Sequence, residues 1–163
     1  MRRFEEEWRL LVEVRSWLSD RGYRLIDSRG PEGMDQGFDV YVGAAIGIRI
    51  IADRSQWFVE VHCSAGAVDA YGYRDWFNLE CWSTCLGSEV IFHDPGKAGS
   101  AERNPVTSAM IANSWWLRPQ LDYLRAQLGE IERACLPDVV EHTRACLLDA
   151  KRRHSPFSSR SSS

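Results

Sequence analysis

The alternation of apolar and polar residues across 38–63, broken once by a short polar run, constrains this chain more than any other feature. In "FDVYVGA", residues 38–44, Phe38, Val40 and Val42 share one side and Asp39 and Tyr41 the other. In "AIGIRIIA", residues 45–52, Ile46, Ile48 and Ile50 align in the same way. After the polar run the alternation resumes, with Trp57, Val59, Val61 and Cys63 on one side and Phe58, Glu60 and His62 on the other. Successive side chains of a strand point to opposite faces, so these runs predict consecutive, hairpin-connected strands. Glu60 and His62 imply that the second face meets water. Asp53 to Gln56 fits a hairpin loop of four residues built around a type I turn, with the Asp53 carboxylate able to bond backbone N–H groups.

Around this block the period changes to that of helices. Residues 2–21 place Phe4, Trp8, Leu11, Val14 and Leu18 at spacings of three and four, and Gly22 supplies a stop. "YRLID", 23–27, reads as a short first strand, followed by the glycine-rich loop "SRGPEGMDQG", 28–37. Further on, "RDWFNLECWSTCLG", 74–87, reads as a helix with Trp76, Leu79, Trp82 or Ser83, and Leu86 on its stripe and Gly87 at its end. Asn104-Pro105 opens another helix, which Pro119 breaks or kinks. Leu121, Leu124, Leu128, Ile131 and Cys135 then form a core-facing seam, and Pro137 starts a last helix carrying Val139, Val140, Cys146, Leu147 and Ala150.

Segregated strands and helices predict an α+β fold: an N-terminal helix, an antiparallel β-meander of about four strands, and C-terminal helices packed on the sheet. A chain of 163 residues can bury a full core as one domain, residues 1–153. Six of the last ten residues are serine, so 154–163 reads as a disordered tail.

Charge and cysteines bound the function. Lys151, Arg152, Arg153 and Arg160 follow residue 150 with no acids, so removing these four cations from the net charge of -3 leaves -7 on residues 1–150. An acidic body argues against nucleic acid as a partner and suits a basic protein. No apolar run reaches membrane-spanning length, and the acidic "EEE" at 5–7 interrupts any signal-like segment, so the expected location is the cytoplasm, with no membrane partner. Cys63, Cys81, Cys85, Cys135 and Cys146 are then expected as free thiols.

No pattern specifies catalysis. Cys81 and Cys85 share a helical face, and with Cys63 or His62 and His93 they could ligate zinc, but short-spaced knuckles are missing and core packing explains them better. A thiol nucleophile needs a base that the sequence does not place beside it. The glycines at 30, 33 and 37 lie between strands, where no dinucleotide loop forms. "KRRH", 151–154, fits a helix C-terminus better than a phosphate contact. The expectation is therefore no catalytic residue, no metal and no cofactor. "DAYGYRDWFNLECW", 69–82, differs: one helical face cannot bury all its aromatics, and aromatics rimmed by charge mark interaction sites. Asp69, Tyr71, Tyr73, Asp75, Glu80 and Trp82 are the candidate partner-binding residues, set against the simpler reading that these aromatics pack the core and the sheet edge.

"GIRIIADRSQWFVEV", with "DWFNLECWSTCLG" and "ANSWWLRPQL", resembles segments of small bacterial α+β proteins in which one strand runs into "RDRGQ" and out into the next. Some of those proteins resemble immunity proteins of polymorphic toxin systems. The matching stretches cover about a quarter of the chain, and here Ser55 replaces the usual glycine and Ala52 the usual arginine. The resemblance implies a non-catalytic protein that neutralises a cognate toxin. The alternatives are a small Cys/His or metal enzyme, and a structural or regulatory subunit.

Overall fold

In the computed structural model the described residues are 2–29, 36–53, 56–63, 72, 74–88 and 117–154. They form helix α1 (Arg2–Asp20), strands β1 (Arg24–Arg29), β2 (Gln36–Val42), β3 (Gly47–Asp53), β4 (Gln56–His62) and β5 (Trp76–Asn78), then helices α2 (Leu79–Cys85), α3 (Leu117–Ala134) and α4 (Val140–His154). The sheet is antiparallel throughout, in the order β1-β2-β3-β4-β5. This is the expected α+β meander with one strand more. Residues 30–35, 104–116 and 155–163, and the hairpin residues 54–55, lie outside the described residues, and with them the first half of the helix expected after Asn104.

One sheet face carries the core. Tyr41, Ile48, Val61 and Phe77 stand opposite one another on β2 to β5, all buried. Leu79 and Trp82 of α2, Leu121, Leu124, Leu128 and Ile131 of α3, and Leu147 and Ala150 of α4 join the same cluster. Each fully buried aliphatic side chain there is worth roughly 1.5–3 kcal/mol.

The expected buried face of α1 holds at Val14 and Leu18, and Leu11 packs against the core, but toward the N-terminus it shifts. Leu10, Val14 and Leu18 are buried, whereas Trp8 is 51% exposed. At 100° per residue Trp8 sits about 120° from the centre of the Leu10–Val14–Leu18 stripe, outside the buried arc. At the C-terminus of α1, Gly22 has φ 86°, its N–H bonds Ser19 C=O and the next N–H, of Tyr23, bonds Leu18 C=O. Only glycine takes that φ at no steric cost, which fixes the exit into β1. Gly87 ends α2 by the same pair of bonds. A Cβ on Gly43 would lie 2.5 Å from the Tyr23 ring, so close approach requires glycine there.

A buried carboxylate pins α1 to the sheet. Asp39 accepts from Arg15 Nη2 (2.9 Å), Ser28 Oγ (2.5 Å) and Tyr41 Oη (2.9 Å). Three donors compensate its lost hydration. The bond to Asp39 raises the Arg15 pKa, and burial beside the carboxylate raises that of Tyr41.

Two local expectations change. Residues 76–78 form β5, and the helix begins only at Leu79, capped by Asn78, whose Oδ1 accepts the Cys81 N–H at 3.0 Å. Aromatic Trp76 and Phe77 favour a strand, and asparagine is a preferred N-cap. Pro119 lies in the first turn of α3, where its missing N–H has no intrahelical role, and the helix it was expected to break falls outside the described residues. The β3–β4 pairing extends to Asp53 and Gln56, so only two residues connect the strands.

Candidate functional site

The charged and aromatic groups that the fold brings together lie at one corner, where β4 ends, β5 turns into α2, and α4 crosses. Asp75 enters β5 at φ 65°, the one described non-glycine residue in the left-handed region. Aspartate tolerates this conformation better than most residues because its short polar side chain can bond locally. Its Oδ1 accepts from Arg144 Nη2 of α4 at 2.7 Å, with the two side chains 32% and 39% exposed. The same α4 places Lys151 Nζ 3.4 Å from the Trp76 carbonyl oxygen and over the Phe77 ring.

The sheet face turned away from the main core carries the rest of the corner, and despite Glu60 and His62 it does not meet water as a wet face. Arg49 (4% exposed), His62 (9%) and Trp76 (1%) are all buried. Arg49 donates through Nε (2.9 Å) and Nη2 (2.7 Å) to Glu60 Oε1, its cross-strand neighbour, and through Nη1 to the Gly72 carbonyl at 2.8 Å. Its guanidinium also lies 4.4 Å from the Trp76 ring centroid. Pairing and cation–π contact take the place of hydration. His62 meets Trp76 edge-on at 5.2 Å, and its Nδ1 is buried without a hydrogen-bond partner among the described residues. Burial lowers the His62 pKa; Asp75 acts against this, and Arg144 and Arg49 add to it. His62 is thus held as neutral imidazole among three charged side chains.

Of the expected partner-binding residues, Asp69, Tyr71 and Tyr73 lie outside the described residues. Asp75 and Glu80 reach the surface of this corner, both partly exposed, with Glu80 in the first turn of α2, where a carboxylate suits the helix dipole. Trp82 is a correction. It is fully buried, in the main core, with its indole N–H 3.4 Å from the Val61 carbonyl oxygen. A short helix that packs on the sheet through Leu79 and Trp82 leaves no surface for this ring to offer a partner. Sequence reasoning missed Arg49, His62, Trp76 and Arg144. The one available signal was the cross-strand register, which sets Arg49 opposite Glu60 and His62 opposite Trp76.

The cysteines bring the second correction. Cys85 of α2 and Cys146 of α4 form a disulfide with Cα atoms 6.0 Å apart, so two of the five are not free thiols. These positions are 61 residues apart in sequence, and only the docking of α4 on α2 brings them together. Cys63, Cys81 and Cys135 are free and buried. Burial pushes the Cys81 thiol up to about 11, and contact with Cys63 together with burial raises that of Cys135. Thiols held protonated are poor nucleophiles. Among the described residues no group of three or more His, Cys, Asp and Glu side chains could hold a metal ion, and no helix is long and apolar enough to cross a membrane.

No protein-family model, no curated protein and no solved structure matches this chain.

Proposed function

We propose that this chain is a non-catalytic binding protein, of the kind that neutralises a cognate bacterial toxin, and that it takes a basic protein surface at the Asp75–Glu80 corner. The observation that carries the reading is Asp75. An aspartate in a costly backbone conformation presents a half-exposed carboxylate that already holds a guanidinium, that of Arg144, at 2.7 Å. A partner's arginine or lysine would use the same chemistry, in exchange for Arg144 or beside it. The excess of acid over base in residues 1–150 would steer a cationic partner toward the molecule. Asp69, Tyr71 and Tyr73 belong to the same proposal through their place in the chain next to this corner.

The test is co-purification with the product of a neighbouring toxin-like gene, repeated at rising salt. A stoichiometric complex that weakens with salt supports the reading; a neighbour that encodes no toxin and yields no complex removes it.

One observation favours an enzyme instead: the unpartnered, buried Nδ1 of His62 close to Asp75 and two arginines. Elemental analysis with thiol titration separates the two readings. Bound metal, or a thiol that reacts faster than free cysteine at neutral pH, would favour the enzyme. As a toxin-neutralising protein the chain would act in the cytoplasm, whereas the Cys85–Cys146 bond favours an oxidising compartment. Alkylating the thiols in intact cells before lysis tells these apart.

A further inference from the structure

Helix α4 is attached to the rest of the fold by few side chains. Among its described residues Leu147 and Ala150 are buried and Val140 packs partly, whereas α3 buries six residues. Leu148 is exposed. The Arg144–Asp75 pair that ties α4 to the start of β5 is partly exposed, and such pairs contribute little. Lys151 Nζ reaches the Trp76 carbonyl oxygen only at 3.4 Å, beyond the usual range of an N–H···O bond. A helix of 15 residues is marginal in water by itself. Its covalent anchor is Cys146, two residues beyond Arg144, bonded to Cys85, the last residue of α2. Both cysteines are partly exposed, so a thiolate from solution can reach the bond.

We propose that the Cys85–Cys146 bond is a reducible clasp: a dithiol reductant opens it, and α4 then moves off α2 and β5 about the turn at 135–139 while the sheet keeps its packing. One thiolate of the reductant attacks one of the two protein sulfurs. The S–S bond breaks, and the other cysteine leaves as a thiolate that takes up a proton. The reductant's second thiolate then attacks the reductant sulfur of the mixed disulfide, closing a disulfide within the reductant and releasing the second protein thiol. The protein gains two electrons and two protons, and the reductant loses them. With α4 displaced, Asp75 loses the Arg144 guanidinium and the Phe77 ring loses the Lys151 ammonium. A disulfide in a reducing compartment is typically transient and redox-sensing, so a clasp also reconciles this bond with action in the cytoplasm. Reduction would then free Asp75 for a basic partner; that consequence rests on the proposed function, whereas the release of α4 does not.

The experiment follows the full wild-type chain, with no partner present, by amide hydrogen exchange before and after dithiothreitol. Alkylation mapped to peptides confirms that Cys85 and Cys146 have become thiols. On reduction, exchange in Val140–His154 should rise by more than about tenfold while β2, β3 and β4 change by less than about twofold. Reoxidation with oxidised glutathione should restore the slow exchange of α4. The Cys85→Ser, Cys146→Ser double variant should exchange in α4 like the reduced wild type and should not respond to dithiothreitol. Unchanged exchange in α4 after both thiols are freed would overturn the proposal. So would a bond that resists the reductant in the folded chain, a sheet that opens together with α4, or a variant that still responds. Because no partner enters the experiment, its failure and the failure of the proposed function are told apart.

Discussion

Arg144 of α4 donates to Asp75 at 2.7 Å, joining the last helix to a residue that stands at φ 65° where the chain enters β5. The pair is partly exposed, so its energetic worth is small: a double-mutant cycle on Asp75→Asn and Arg144→Met should give a coupling of about 0.5 kcal/mol, fading with salt. Asparagine also tolerates positive φ, so Asp75→Asn isolates the charge. Asp75→Val should cost about 1–2 kcal/mol more, because a β-branched side chain resists that backbone conformation. Urea denaturation of the five proteins decides it.

Gln120 of α3 takes the place of a strand. β5 stops at Asn78, opposite Glu60, and beyond that point Gln120 Oε1 accepts the Val59 N–H at 2.8 Å while Nε2 donates to the Trp57 carbonyl at 2.7 Å. Gln120→Leu leaves two buried backbone groups of β4 without these bonds and should cost about 2–4 kcal/mol. Gln120→Glu should lose stability near neutral pH and recover part of it in acid relative to wild type. Only the protonated carboxyl can donate to Trp57. Denaturation midpoints of the three proteins across pH report both effects.

His62 predicts how stability responds to acid. Its pKa in the fold lies below the ordinary 6.5, chiefly because burial disfavours the charged ring. Above 6.5 the residue is neutral in folded and unfolded chains and contributes no slope. As pH falls below 6.5 the unfolded chain takes up the proton first, so stability drops until the folded pKa is passed and then levels. Between about pH 7.5 and about pH 5.5, His62→Phe should therefore lose less stability than wild type. Equal losses in the two proteins would show that His62 is not held neutral.

The Cys85–Cys146 disulfide closes a loop spanning 61 residues. Replacing both cysteines by alanine should lower stability by about 2–4 kcal/mol, largely by loosening α4 from α2. Amide exchange should rise in Val140–His154 before it rises in the sheet.

Much of this fold was legible because its signals are local. Period-two alternation located β2, β3 and β4, the seam from Leu121 to Ile131 located the buried face of α3, and Gly22 and Gly87 marked two helix ends. What escaped was set by tertiary contact. The sequence around Trp76 and Phe77 supports helix as well as strand until β4 is present to pair with it. Trp8 fits a helical stripe by spacing alone, but the stripe that reaches the core is that of Leu10, Val14 and Leu18. At the candidate site, Asp75 and Glu80 could be named from composition, whereas Arg144 lies 69 residues beyond Asp75 and is joined to it only by the docking of α4. The Cys85–Cys146 pair was hidden for the same reason, and the assumption of a reducing compartment pointed away from it.

The role proposed for the Asp75–Glu80 corner is to bind a basic toxin. Growth rescue tests it most directly: cells expressing the neighbouring toxin-like gene are supplied with wild-type chain or with Asp75→Asn combined with Glu80→Gln. The wild type should restore growth, and the double variant, still folded by circular dichroism and equally abundant, should not. Failure of the wild type to rescue, or equal rescue by both proteins, would contradict it.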